Sequence, residues 1–340
     1  MRGFFRSFHG GVAVLSILCC VVATGGSRAM AAASQPGWQP GHAVELVVPA
    51  GAGAALDTAA REIQRQLDLQ KALAQTLVVT NRPGGSGAIA LQVLRSHPGD
   101  PHWLGFFSTG MISARALNPP DALSYNDMTP IALLVEESML VAVRADSPLT
   151  SAKDLVEHLK RKPDSLSIAI ATSVGNHIHL AIAKPLKQAG VDIGKLVIVP
   201  YKSSGESMNA LLGGHVDVVS ASSPNVLTQY KAGTIRLLAV TTENRLTGDL
   251  ADIPTWKEQG IDAVSTSVQG IIGPKDMTPA QLAYWENALE KVATSAQWNS
   301  FVEQQLWRPR FVKHDEMKRI LDAEYESTRK LLNDLNLAKP

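Results

Sequence analysis

Three strand–loop–helix units in succession constrain this chain more than any other feature of it. The first reads ELVVPAGAGAALDTAAR over residues 45–61. Residues 46–48 are a continuous apolar run, the pattern of a strand buried on both faces of a parallel sheet. Pro49 has no N–H to give to the ladder and ends it. The small residues 50–55 let another group come close to the backbone. From about Asp57 a helical repeat sets in, with Leu56, Ala60, Ile63 and Leu67 on one face. The second unit runs from the apolar residues 77–80 through Asn81-Arg82-Pro83-Gly84-Gly85-Ser86-Gly87 to a helix carrying Ile89, Leu91, Val93 and Leu94. The third joins residues 103–107 to Ser108-Thr109-Gly110 and a further helical stretch. Such repetition predicts an open parallel α/β sheet, and ligands on such sheets bind at the carboxyl ends of the strands.

Residues 131–143 form a long apolar segment, one or two strands leaving the first domain. A helix over 148–162 follows, opened by Thr150-Ser151. A second α/β pattern then begins. It has a strand at 166–171, a loop at 172–176 and a helix at 177–189. A strand at 196–199 leads through 200–206 into a helix ending at Leu212, and short strands follow at 216–220 and 235–240. Residues 253–260 read as a proline turn and short helix, 264–272 as a crossing back to the first domain, and 279–293 and 314–335 as helices. The fold class expected is therefore α/β, with two Rossmann-like domains and a ligand cleft between them. Domain 1 takes residues 40–143 and 268–340, and domain 2 takes 144–267. A chain of 340 residues is long enough for two such cores.

The N-terminus is of another kind. Arg2 and Arg6 precede an apolar run over 12–23, and small residues then lead to Ala29-Met30-Ala31-Ala32-Ala33. This is the layout of a secretory signal peptide over 1–33, so export is expected. Both cysteines, Cys19 and Cys20, lie inside it, and Leu18 before Cys19 does not suit a lipoprotein signal. Cleavage would leave a chain without disulfide, thiol nucleophile or thiolate-bound metal. It would also remove Arg2, Arg6 and Arg28, leaving 29 basic against 31 acidic residues, a net charge of −2. No nucleic-acid footprint is expected from such a balance.

Three function classes compete for the small-residue loops. Gly51-Ala52-Gly53-Ala54-Ala55-Leu56 opens like a dinucleotide fingerprint, but Leu56 stands where a small residue must pack, and Asn81-Arg82 end the second strand where a ribose-binding acid belongs. Catalysis finds no G-x-S-x-G elbow. His177 and His179 have no third ligand at a familiar metal spacing, so neither metal nor cofactor is expected. Asp57 reads as an N-terminal helix cap before a general base, and Asp217 as a structural hydrogen-bonding residue. A binding protein fits best, because a carboxylate can be held by loop and helix-end N–H groups without a cationic side chain. An exported α/β enzyme acting on a small carboxylate through Asp57 or His179 is the alternative.

The chain resembles the extracytoplasmic solute receptors of tripartite tricarboxylate transporters, the Bug receptors, over nearly its whole mature length. Pro49, Gly53, Asp57 and Arg61 match the first family motif, while Ala50 and Ala54 depart from its aromatic and its second Gly. Residues 81–87 match N-R-P-G-A-G-G. Val199-Pro200-Tyr201-Lys202-Ser203 followed by Leu211-Leu212-Gly213-Gly214-His215-Val216-Asp217 match the third motif. Ala232-Gly233, Arg245, Pro254-Thr255, Glu258 and Gly260 continue the pattern in order. The resemblance implies a monomeric periplasmic receptor of the type II, Venus-flytrap kind for a small carboxylate: a di- or tricarboxylate or an aromatic acid. Its roles would be delivery to the membrane subunits of a transporter, or sensing. Carried over, the ligand-binding residues are Ala50, Gly51, Ala52 and Gly53; Gly84, Gly85, Ser86 and Gly87; and Ser108 and Thr109. From the second domain come Ser173, Asn176, His179, Ser203, Ser204 and Ser220. Val268 stands where the family often has Trp, and Ser220-Ala221-Ser222 stand where some amino-acid-binding members carry an acid. The latter disfavours an ammonium-bearing ligand.

Overall fold

The computed structural model describes residues 37–119 and 121–337, so the expected signal segment lies outside the described residues. The chain opens with β1 (Val44–Val48), α1 (Ala55–Leu69), β2 (Leu77–Asn81), α2 (Ala88–Arg95), β3 (Trp103–Ser108) and α3 (Gly110–Leu117). The long strand β4 (Thr129–Arg144) follows, then α4 (Ala152–Arg161), β5 (Ser167–Ala171), α5 (His177–Gln188), β6 (Val197–Tyr201) and α6 (Ser204–Leu212). Next come β7 (Val218–Ser222), α7 (Ser223–Lys231), β8 (Ile235–Val240) and β9 (Thr266–Gly273). The chain closes with α8 (Pro279–Ala293), α9 (Ala296–Gln304), β10 (Trp307–Lys313) and α10 (His314–Asp334).

One sheet carries all of this, in the order β2-β1-β3-β9-β4-β7-β5-β6, with β10 and β8 also paired to β4. β1 runs parallel to β2 and β3, so the loops after these strands leave from one edge. β5 is parallel to β6 and β7, which gives the second half the same property. Val44, Leu46, Val47 and Val48 are all buried, as a strand covered by helices on both faces requires. Val44, Leu46 and Val48 pack with Ile63 and Leu67 of α1 and with Trp285 and Leu289 of α8. Two further clusters fill the second half, one around Leu155, Ile168, Leu186 and Trp256, the other around Leu140, Leu211, Val219 and Val226.

β4 joins the halves. Its Thr129–Ser138 stretch pairs with β9, with β10 beside it, while Met139 to Arg144 pair with β7 and β8. Local chemistry sets several boundaries. Ser151 accepts from the Asp154 N–H at 3.1 Å and starts α4, and Thr278 with Gln281 forms a reciprocal cap on α8.

Several expectations need correction. α1 starts at Ala55, and the residue before it, Ala54, gives no side-chain cap. Asp57 is therefore a first-turn residue with another task, described below. Residues 253–260 form turns and no helix: Trp256 is fully buried as an anchor, and Glu258 accepts from the Thr255 N–H at 2.8 Å. Three elements, α7, α9 and β10, carry no clear sequence signal. β10 holds Pro309 and three cations, the composition of an edge strand, and its register on β4 shifts between Pro309 and Val312.

Gly270 on β9 shows how closely the strands at the centre approach. A Cβ there would lie 2.2 Å from the Ala132 carbonyl oxygen and 2.9 Å from Leu133 Cα, both backbone atoms that cannot swing aside. Gly270→Ala is expected to destabilise the fold by about 1–3 kcal/mol or more, read as a lower urea midpoint with little change in slope.

Candidate functional site

The two glycine-bearing motifs of the first half are tied together by side chains that only the fold brings near. Asn81, at the end of β2, donates from Nδ2 to the Ala50 carbonyl at 3.0 Å and to Asp57 Oδ1 at 2.9 Å. The other Asp57 oxygen accepts from the Gly53 N–H at 2.8 Å and from Arg61 Nε at 3.0 Å. Asp57 thus holds the loop before its own helix. The Arg61 guanidinium, helped by Gly53 and Asn81 and opposed by burial, lowers its carboxyl to about 2. The unfolded carboxyl, near 3.8, binds protons more readily, so this stabilisation is complete above that pH and is lost as pH falls through 2.

The second loop needs its glycines. Gly84, Gly85 and Gly87 all have positive φ, and a Cβ on Gly87 would meet Met111 Cε at 2.6 Å. Between them Ser86 is held at φ 50°, and across the sheet Thr172 is held at φ 67°. A β-branched residue with positive φ is an outlier, and such strain concentrates at ligand sites. The Thr172 conformation is fastened by its N–H to Tyr201 O at 2.7 Å and by Asn176 Nδ2 to its Oγ1 at 2.8 Å.

Ser86 and Thr172 face the same cavity, about 320 Å³ in volume. Pro49, Leu56, Ala114 and Leu117 make its apolar wall; Ser108, Ser113, Ser173, Asn176 and His177 make its polar one, with Gly110 between. Three helices reach it by their N-terminal turns: α1 through Leu56, α3 through Gly110 and α5 through His177. The first amides of each have no acceptor within the helix, so three sets of N–H groups and three positive dipole ends meet here. Among the described residues, no Asp, Glu, Lys or Arg lines the cavity. A larger cavity of about 600 Å³, between residues 245–250 and the α9–β10 stretch, contains none of the loops that follow β1, β2, β3 and β5.

Of the expected site residues, Ser86, Ser108, Ser173 and Asn176 line the cavity. Gly85 lines a small adjoining pocket that shares Ser86 and Ala114 with it. Gly51, Ala52 and Gly53 are exposed, Ala50 is half-buried, and Gly84 and Gly87 shape the loop behind Ser86. Thr109 is buried and bonded to β9, its Oγ1 accepting from the Val268 N–H at 2.7 Å. Ser203 caps α6 by accepting from the Glu206 N–H at 3.2 Å, with Ser204 the first residue of that helix. Ser220 is buried and donates to Ile178 O at 2.9 Å. His179 is also buried, its Nδ1 accepting from the Gly175 N–H at 3.0 Å. Two further lining residues are Ser113, which carries no signal in the sequence, and His177, which the sequence places at a helix start without assigning it to the site. The weak signal for His177 was its place directly after the Asn176 cap, at the helix start.

Burial lowers both histidines to about 4, so at neutral pH each ring is uncharged. Ser113 and His177 also line a small chamber beyond the cavity, with Thr109, Thr328 and Glu324, whose carboxyl burial pushes up. Among the described residues one group has the donors for a metal, His42, Asp100 and His102, at the opposite, amino ends of β1 and β3. Both nitrogens of His102 are already engaged, Nδ1 with Asp100 at 2.7 Å and Nε2 with the Gly41 N–H at 3.1 Å.

A mixed α/β sheet shared by two halves, with a cavity walled by helix N-termini from both, is the type II periplasmic-binding-protein architecture, that of a solute receptor. Residues 60–337 match the model of the tripartite tricarboxylate transporter family receptor, and the chain belongs to this family. It is 26% identical to the "UPF0065 protein in gbd 5'region" of Cupriavidus necator, over 92% of this chain and 94% of that protein. A ligand-free TctC solute-binding protein from Polaromonas superposes with a TM-score of 0.75 at 25% identity, covering 87% of this chain and 99% of that one. An R. palustris protein in complex with adipate superposes with a TM-score of 0.73, also at 25% identity, covering 88% and 99%. The family is one of binding receptors, not enzymes. The two bases that an enzymatic reading needed are both committed elsewhere, Asp57 to its loop and His179 to Gly175.

Two stability measurements test this description. Asp57→Ala, which also leaves Asn81 and the Gly53 amide short of a partner, is expected to cost on the order of 1–2 kcal/mol at pH 7 by urea unfolding. For His179 the unfolded ring binds a proton near 6.5 and the folded ring only near 4. Stability from its neutral burial is therefore complete above 6.5 and is lost as pH falls through 4. His179→Gln is expected to flatten the decline of the urea midpoint between these values, and an unchanged decline would count against it.

Proposed function

We propose that this protein is a periplasmic receptor that captures a small carboxylate in the 320 Å³ cavity. One observation carries the reading: the N-termini of α1, α3 and α5 converge on a cavity to whose wall the described residues bring no charged side chain. Unaccepted amides and dipole ends favour an anion, and the apolar wall of Pro49, Leu56, Ala114 and Leu117 suits a carbon chain rather than a phosphate or sulfate. The related R. palustris protein with adipate supports the same ligand class.

Residues 1–33 act as the export signal. Residues 40–143 with 268–340 form one lobe, and 144–267 the other. Ser86, Ser108 and the amides of 84–87 hold the carboxylate from the first lobe, with loop 50–53 beside them. Ser173 and the start of α5 meet the ligand from the second lobe. Closure bends β4 and β9 where they pass between lobes, a hinge motion. The loaded monomer then meets the membrane subunits of a tripartite tricarboxylate transporter or serves sensing.

A thermal-shift screen of mono-, di- and tricarboxylates and aromatic acids on the purified protein tests the ligand class. At a ligand concentration about a hundredfold above Kd, the expected stabilisation is about 2.7 kcal/mol, with no conversion of the ligand. Gly85→Asp puts a carboxylate into the anion loop at a φ that Asp tolerates. It is expected to abolish binding while the circular dichroism spectrum stays native; retained affinity would remove loop 84–87 from the site.

A further inference from the structure

We infer that the cavity selects a carboxylate whose far end carries a neutral hydroxyl, in preference to a ligand charged at both ends. This rests on the carboxylate reading above and narrows it. The positive potential comes from helix ends alone, about half a charge each from α1 and α3 of the first half and from α5 of the second. At α1 the Asp57 carboxylate of the first turn, paired with Arg61, offsets part of it. Among the described residues no lysine or arginine lines either side. Asn176, the polar side chain best placed to help a second carboxylate, is already committed to the fold. Its Nδ2 donates to Ala171 O at 2.7 Å and to Thr172 Oγ1 at 2.8 Å, and its Oδ1 accepts from the His179 N–H at 3.0 Å. A second carboxylate would be taken from water without a full counter-charge.

Two polar atoms at the back of the cavity have no partner among the described residues. Ser113 is 2% exposed, and its Oγ has no hydrogen-bond partner. His177 presents a buried Nδ1 that is equally unpartnered. Both residues line the cavity and the small chamber beyond it, so they stand at the boundary where the far end of a ligand arrives. A hydroxyl accepts from the serine and meets the imidazole in either tautomer, accepting from N–H or donating to the bare nitrogen. A carboxylate can answer only one of these tautomers. Between the anion loops and this boundary the wall is apolar, which suits a methylene spacer.

Titration calorimetry on the purified protein tests this with three matched series running from butyrate to octanoate in length: simple alkanoates, ω-hydroxyalkanoates and α,ω-diacids. The best ω-hydroxy acid is expected to bind about tenfold tighter than the alkanoate or the diacid of the same length. Ser113→Ala and His177→Phe are each expected to cut that advantage to about twofold. A diacid or a plain alkanoate that binds as tightly as its hydroxy counterpart overturns this inference and leaves the carboxylate reading standing. No binding at any length in any series overturns this inference, and it overturns the carboxylate reading too when the wider screen of tricarboxylates and aromatic acids also finds no ligand. An advantage that survives both substitutions in folded protein overturns the roles given to Ser113 and His177. The ligand comparison on the unaltered protein decides the main point even where a variant fails to fold.

Discussion

The pairing of β4 on both of its sides is the constraint on which the rest of this structure depends. Its Thr129–Ser138 stretch sits between β9 and β10, and its continuation through Arg144 sits between β7 and β8. A buried strand cannot leave its amides unpaired, so each half of β4 obliges one half of the molecule to assemble against it. β4 shifts register between Pro130 and Ala132, between Leu133 and Val135 and between Val141 and Ala142, irregularities of the kind that increase a strand's local twist. Gly270 permits a close approach of β9 to the Ala132 carbonyl of β4.

From that frame the site follows. Parallel strands place their following loops at one edge, and each loop ends at a helix N-terminus, so amides rather than side-chain cations supply the positive potential. This has a cost in loop order, met by polar side chains turned inward. Asp57 and Asn81 hold the first loop, and Asn176 holds the loop of the second half while fixing Thr172 at positive φ. The polar residues most prominent in the motifs are therefore structural supports, and in the reading proposed here the groups left for a ligand are backbone amides, small hydroxyls and the His177 ring. Such a site suits a receptor, which must bind and release, and offers no activated nucleophile or poised base for turnover.

What the sequence made legible is what local periodicity and turn chemistry encode. The runs ending at Val48, Asn81, Ser108 and Ala171, and the helix starts after Ser151, Asn176 and Thr278, follow from apolar repeats and caps within a few residues of each other. β10 escaped notice because an edge strand buries little, and Pro309 with its neighbouring cations hides the alternation. Serines posed the opposite difficulty. Ser203, Ser220 and Ser86 each sit near the end of a strand or in the loop beyond it and look alike in sequence. Only the fold sends the first to a helix cap, the second to Ile178 and the third to the cavity.

The sequence by itself determined the strand–loop–helix rhythm, the loops at the strand ends and the family, because each depends on residues close along the chain or on motifs in fixed order. The tertiary structure alone decided that Asp57 meets Asn81, that β4 serves both halves, and that Ser113 and His177 stand together at the back of one cavity. The physical reason is distance. Burial patterns report that a side chain is covered, but which distant hydroxyl or ring shares its space depends on how the sheet and its helices pack.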